Sequence, residues 1–162
     1  MQMMTLFTRR QCLATLAASS AALPAWAASP APTQVQVWKD PSCGCCKDWI
    51  THMQDHGFAV TVRDSGNTGA RARLGLPMRL GSCHTALVEG YVVEGHVPAS
   101  DVRRLLREKP KALGLAVPGM PVGSPGMDGP AYGDRKDAYE VLLVRPTMKK
   151  GEVTTEVFAS HS

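Results

Sequence analysis

Apolar and polar positions alternate with a period of two over Gln34-Val35-Gln36-Val37-Trp38, and the β-branched residues fit a strand. The period then changes. After a turn at Asp40-Pro41-Ser42, where Asp40 or Ser42 can cap a helix, the apolar set Cys46, Trp49, Ile50 and Met53 recurs every three or four residues. This predicts a helix from Cys46 to His56, closed by Gly57. Phe58 to Arg63 alternates again and predicts a second strand. The turn Asp64-Ser65-Gly66-Asn67 leads to a short helical stretch, Arg71 to Leu74, ended by Gly75 and Pro77. Thr85 to Glu89 and Tyr91 to Glu94 flank Gly90 as a tight antiparallel hairpin. Val102, Leu105 and Leu106 place a helix over Pro98 to Lys109, with Ser100 as cap and Pro110 as stop. Residues 113–130 read as a Gly/Pro-rich loop. Tyr139 to Val144 and Val153 to Phe158 form a last pair of strands.

This element order predicts an α/β chain: a single thioredoxin-like domain over residues 34–162, with an added C-terminal β-hairpin at 139–158. The 162 residues suit one domain rather than two. Charged residues make up only 20% of the chain, which excludes an acidic disordered chain or a polybasic nucleic-acid tail. Aromatic residues at 6% are too few for a base-stacking platform. No phosphate-cradling glycine loop, nucleophile elbow or paired-carboxylate pattern is present.

The first 27 residues contain no Asp or Glu. A short amino-terminal region ends in Thr8-Arg9-Arg10-Gln11, an apolar run follows from Cys12 to Leu23, and Ala25-Trp26-Ala27 is a small-residue cleavage site. This predicts a signal peptide removed after Ala27, and therefore export to the periplasm with no stable membrane insertion. Arg9 and Arg10 resemble a twin-arginine signal, the alternative being an ordinary secretory leader. Residues 28–33 read as a linker. Removal of a leader with two arginines and no acid would lower the formal charge from +4 to +2, so charge names no partner.

Cys12 leaves with that leader, and four of the five cysteines remain. In an oxidising compartment an even set predicts disulfides. The spacing argues otherwise. Cys43, Cys45 and Cys46 lie within four residues and compete for few allowed partners, which is how a site is built rather than a framework. They sit where strand meets helix, where backbone N–H groups favour thiolate, and Gly44 is expected to let the backbone bend so that the sulfurs converge. Cys43 and Cys46 have the spacing of a redox dithiol, and Cys45 does not belong in that pairing. Gly81-Ser82-Cys83-His84-Thr85 precedes the third strand and would bring a fourth thiol and an imidazole to the same place.

Softness and spacing favour Cu(I), which tolerates shared thiolates, over a disulfide redox site, a zinc site and an iron–sulfur cluster, in that order. The expected metal residues are Cys43, Cys45, Cys46 and Cys83 with His84 nearby, and the number of ions is open. An inert disulfide such as Cys43 to Cys83 is the plainest alternative.

Pro41-Ser42-Cys43-Gly44-Cys45-Cys46-Lys47-Asp48-Trp49, Ser82-Cys83-His84-Thr85-Ala86, Val93-Glu94-Gly95-His96-Val97-Pro98 and the stretch Val117-Pro118-Gly119-Met120-Pro121-Val122-Gly123-Ser124-Pro125-Gly126-Met127 resemble the CopG-type copper-resistance proteins. The resemblance runs from about Val35 to Phe158. It implies an exported, thioredoxin-like copper-binding protein that handles copper, with a change in copper's redox state as a further step, and other periplasmic copper-handling proteins as partners. It carries the thiolate-ligand role to Cys43, Cys45, Cys46 and Cys83.

Softer signals stand beside their plainer readings. Met120 and Met127 offer thioethers to Cu(I), or plug the loop onto the core. His52 and His56 share a helix face and read as solvated. His96 lies near the site or bonds a turn, and His161 sits in a tail without a role. Arg103, Arg104, Arg107 and Lys109 make a basic face that is solvated or meets an acidic partner. A periplasmic thiol-disulfide oxidoreductase using Cys43 and Cys46 is the rival function, and a passive metal store is a third.

Overall fold

The computed structural model describes residues 31–149 and 151–162. The leader reading, its cleavage site and Cys12 lie outside these residues, as does the linker before Ala31. In chain order the elements are β1 (Gln34–Lys39), α1 (Gly44–Asp55), β2 (Ala59–Arg63), α2 (Thr68–Arg73), β3 (His84–Val88), β4 (Tyr91–Glu94), α3 (Ala99–Glu108), β5 (Gly114–Ala116), β6 (Tyr139–Pro146) and β7 (Val153–His161). Single turns of 3₁₀ helix lie at Met78–Leu80 and Pro130–Tyr132.

The strands form one seven-stranded mixed sheet in the order β2-β1-β3-β4-β5-β6-β7. β1 is parallel to β2 and antiparallel to β3, with Val37 opposite Ala86, and β3 is antiparallel to β4. The period-two pattern sends alternate residues to opposite faces. Val35, Val37, Ala86, Val88, Val93 and Leu115 pack with Trp49, Ile50 and Met53 of α1 and with Val102 and Leu105 of α3. Their neighbours Val92, Ala116 and Val144 pack with Leu76 and Leu80 on the other face. The sheet is therefore covered on both sides, and the ends of β1, β3 and β4 are held between the layers.

Residues 113–130 are not loop throughout, because they begin with β5. This strand runs parallel to β4, Leu115 opposite Val93, and antiparallel to β6. Three residues are too short to show a period. Gly114 stands there because a side chain would run into the backbone of Val92. The final strands are longer than expected, pairing antiparallel from Tyr139 opposite His161 to Pro146 opposite Val153. Lys109, in the left-handed conformation at φ 47°, ends α3 before Pro110 is reached, and no side chain caps its start. Two arginines of α3 keep solvent exposure and also lie over aromatic rings. Arg103 lies over Phe58 and donates to the His56 carbonyl, and Arg104 lies 4.2 Å over Phe158.

Candidate metal centre

β1 ends at Lys39, and the chain turns sharply into α1. Asp40 Oδ1 accepts hydrogen bonds from the Ser42 N–H (2.9 Å) and hydroxyl (2.6 Å), and the Asp40 carbonyl accepts from Cys43 N–H at 3.1 Å. These Ser42 donors hold the Asp40 carboxyl below its ordinary range. The sequence placed Asp40 or Ser42 at the cap. The residue there is Cys43, with extended backbone and no side-chain cap bond. α1 consequently starts two residues earlier than expected and carries Cys45 and Cys46 in its first turn.

Cys43 and Cys46 are joined by a disulfide, while Cys45 and Cys83 are free thiols. The four free thiolates expected from the sequence thus require reduction of this bond. Even so, the four sulfurs lie within 4.8 Å of one another. Cys45 Sγ is 3.7 Å from Cys43 Sγ and 3.8 Å from Cys83 Sγ, and Cys46 Sγ is 3.6 Å from the Cys83 carbonyl. Gly44 is not the bend that was expected. It sits in the helix, outside the positive-φ glycines, with open space where a Cβ would go. The convergence comes from the i, i+3 geometry of the first helical turn.

Cys83 reaches the cluster because Ser82 is clamped. Glu94, fully buried at the end of β4, accepts from the Ser82 N–H at 2.7 Å, from Arg71 Nε at 2.8 Å and Nη2 at 2.7 Å, and from the Thr85 hydroxyl at 2.6 Å. Arg71 Nη2 also donates to the Ser82 carbonyl at 2.6 Å. Burial pushes the Glu94 carboxyl up, and the donors from Thr85, Ser82 and Arg71 push it back. Burial, with Cys45 close by, raises the Cys83 thiol to about 12.

Two imidazoles complete the surroundings of Cys83. His84 Nδ1 is 3.4 Å from Cys83 Sγ, its ring lies 4.4 Å from Trp49, and its Nε2 is buried without a hydrogen-bond partner. His96 fulfils both roles left open for it. Its Nδ1 donates to the Pro125 carbonyl at 2.8 Å, which leaves the Nε2 lone pair facing Cys83 Sγ at 3.1 Å. Burial drives His84 well below its ordinary pKa and lowers His96, so both rings are neutral and able to bind a metal. Cys83, His84 and His96 form a second ligand-capable group that shares Cys83 with the first.

The Gly/Pro loop closes one side. Gly126, at φ +84°, lies so close to α1 that a Cβ would stand 2.6 Å from the Cys45 carbonyl and 2.7 Å from Trp49 N. Met127 is buried and its Sδ accepts from the Tyr132 hydroxyl, whereas Met120 is half exposed. The other histidines join neither group. His52 Nε2 accepts from Ala99 N–H at 3.1 Å, His56 is exposed, and His161 bonds Asp101 Oδ2 at 2.7 Å and stacks on Tyr139 instead of fraying. A cavity of about 630 Å³ lined by Val117, Tyr139, Leu142 and His161 has no cysteine in its lining.

Sequence reasoning missed Arg71, buried in a short polar helix, and did not give Glu94 its role. A carboxylate at an inward strand position was the available signal.

The family described as "Protein of unknown function, DUF411" matches residues 80–127, which span Cys83, both imidazoles and the Met loop. No curated protein matches the chain. Two solved structures do. One, described as copper resistance protein CopG form 2, is 45% identical, with 81% of this chain and 99% of that chain covered and a TM-score of 0.71. The other, form 1, is 46% identical, with 80% and 98% covered and a TM-score of 0.70. Among the described residues no helix is long and apolar enough to cross a membrane. Identity at this level over nearly the whole length of those chains makes this protein a member of the CopG copper-resistance family.

Proposed function

We propose that the reduced protein binds Cu(I) through Cys43, Cys45, Cys46 and Cys83, with His84 and His96 beside Cys83, and that it serves copper handling in the periplasm after export. The observation that carries this is the approach of all four sulfurs to within 4.8 Å of one another, three from the start of α1 and one from the loop before β3. Thiolates are soft, and neighbouring sulfurs can bridge ions of low coordination number, so one ion or several would suit the same set. The relatives' names support copper as the cargo. The sheet order β2-β1-β3-β4, with one parallel and two antiparallel pairings, supports a thioredoxin-like core in which β6 and β7 are an added hairpin.

The dithiol also provides a balanced redox step. Cys43 and Cys46 thiols give up two electrons and two protons as the S–S bond forms, and two Cu(II) become two Cu(I). Cys45, Cys83 and His96 remain as ligands in the oxidised chain. A small dithiol reductant returns two electrons and two protons to reset the pair.

The test is an anaerobic titration of reduced protein with Cu(I) against a competing chelator, repeated for Cys45→Ser and Cys83→Ser. Both substitutions are expected to weaken binding, and wild-type affinity in both would sink the assignment. A second reading, protein thiol-disulfide exchange, draws on the Cys43–Cys46 disulfide. It requires reduction of insulin by the reduced protein and indifference to Cys83→Ser.

A further inference from the structure

Large apolar side chains exposed to water need a reason when they gather at one place. Among the described residues the exposed large hydrophobics are Val62, Met78, Met120, Met148 and Val157. Met78, 66% exposed, and Met120, 52% exposed, come from segments some forty residues apart, yet both line one cavity of about 380 Å³. The other lining residues are Arg71, Gly81, Ser82, Cys83 and Gly119. Met78, Met120 and Cys83, the residue that both ligand groups share, therefore line one cavity.

The two walls are tied to each other and to Cys83. Ser82 Oγ donates to the Gly119 carbonyl at 2.5 Å, and Gly119 N–H donates to the Gly81 carbonyl at 3.2 Å. Arg71 Nη1 donates to Met78 Sδ at 3.5 Å, which fixes one lone pair of the sulfur and leaves another free. Because the same guanidinium binds Glu94 and the Ser82 carbonyl, Met78 is held in register with the Cys83 loop.

We propose that Met78 and Met120 form a thioether port through which Cu(I) reaches and leaves Cys83. This rests on the Cu(I) reading above and adds the route. A thioether is neutral, releases no proton on binding, cannot be lost to a disulfide, and selects soft ions over hard ones. Two such ligands hold the ion more weakly than the thiolates, so they pass it on instead of retaining it. Met127, which is buried and does not line this cavity, takes no part, and Met148, fully exposed elsewhere, is the internal control.

Two measurements decide it, both on the full chain. In the first, reduced wild type, Met78→Leu/Met120→Leu and Met148→Leu receive Cu(I) from its bicinchoninate complex, followed by stopped-flow absorbance. Leu keeps volume and fold. The double variant is expected to keep wild-type stoichiometry and affinity within about twofold but to load about tenfold more slowly, as the thiolates are untouched and only the soft route is lost. Met148→Leu should load like wild type. Loading of the double variant within twofold of wild type would overturn the port. The second titrates Ag(I), a soft surrogate, into protein carrying ¹³C-methyl methionine with its free thiols alkylated. The Met78 and Met120 methyl signals should shift together before Met148, and a uniform or absent response would overturn the port. If wild type takes up no Cu(I), the functional reading fails, and the Ag(I) result alone decides the port.

Discussion

Replacing Arg71 by Met tests whether the buried ion pair positions the cysteine loop. Its side chain is 5% exposed and that of Glu94 is 0%, so neither charge has water to fall back on. Arg71→Met leaves Glu94 with donors from Ser82 and Thr85 but no countercharge. Glu94→Gln strands the guanidinium in the same way. Breaking a buried pair from one side costs about 3–5 kcal/mol, while replacing both partners is close to neutral. Each single substitution is therefore expected to destabilise the metal-free protein by about 3–5 kcal/mol, and the double variant, which leaves neither charge unpaired, to cost no more than either single substitution. Urea denaturation read by tryptophan fluorescence measures this. A second readout separates positioning from bulk stability: in conditions where the variants remain folded, Cys83 should react faster with a disulfide reagent, since Ser82 has lost its clamp. Single-variant costs below about 1 kcal/mol, or strict additivity, would refute the reasoning.

Three further outcomes follow from the backbone and from one phenol. Gly126→Ala should lower the melting temperature and weaken Cu(I) binding, because a left-handed alanine costs about 1–2 kcal/mol before its Cβ meets the Cys45 carbonyl; a variant as stable and tight-binding as wild type would contradict this. Gly44→Ala should keep Cu(I) affinity and raise stability toward urea by about 0.5–1 kcal/mol, as the position is helical and open; lost affinity would show that the motif needs its glycine. Burial raises the Tyr139 hydroxyl to about 12, so its neutral form contributes stability in full below the unfolded value of about 10 and loses it as pH climbs toward 12. The difference in absorbance at 295 nm between wild type and Tyr139→Phe should then titrate near 12 and not near 10.

Periodicity made the longer elements legible. Val35 and Val37, the Trp49-Ile50-Met53 set and the Val102-Leu105 pair each repeat often enough to declare a face. β5 was not legible, since three residues buried on both sides carry no period and Gly114 reads as loop. The cysteine cluster could be read from spacing, and so could Cys83, because a thiol before the third strand falls beside the start of α1. The Cys43–Cys46 pairing could be read too, from its C-x-x-C spacing, although only as the alternative to four free thiolates. Arg71 and Met78 escaped for a different reason: their surroundings are supplied by Glu94, Ser82 and Gly119, which are distant in the chain. Gly44 shows the converse error, a glycine credited with a bend that the helix itself supplies.

Cys83 lies 38 residues beyond Cys45 and is held there by Glu94, farther on still. A chain emerging or unfolded offers a soft ion only the three neighbouring sulfurs near residue 43, with neither the fourth thiolate nor the imidazoles. An ion that prefers the completed set binds the native state selectively, and at a hundredfold excess over its dissociation constant it would add up to about 2.7 kcal/mol to the stability of that state, less whatever it gains on the three sulfurs of the unfolded chain. Occupancy then serves as a record of successful folding, and starvation for the ion would leave the protein more open to proteolysis.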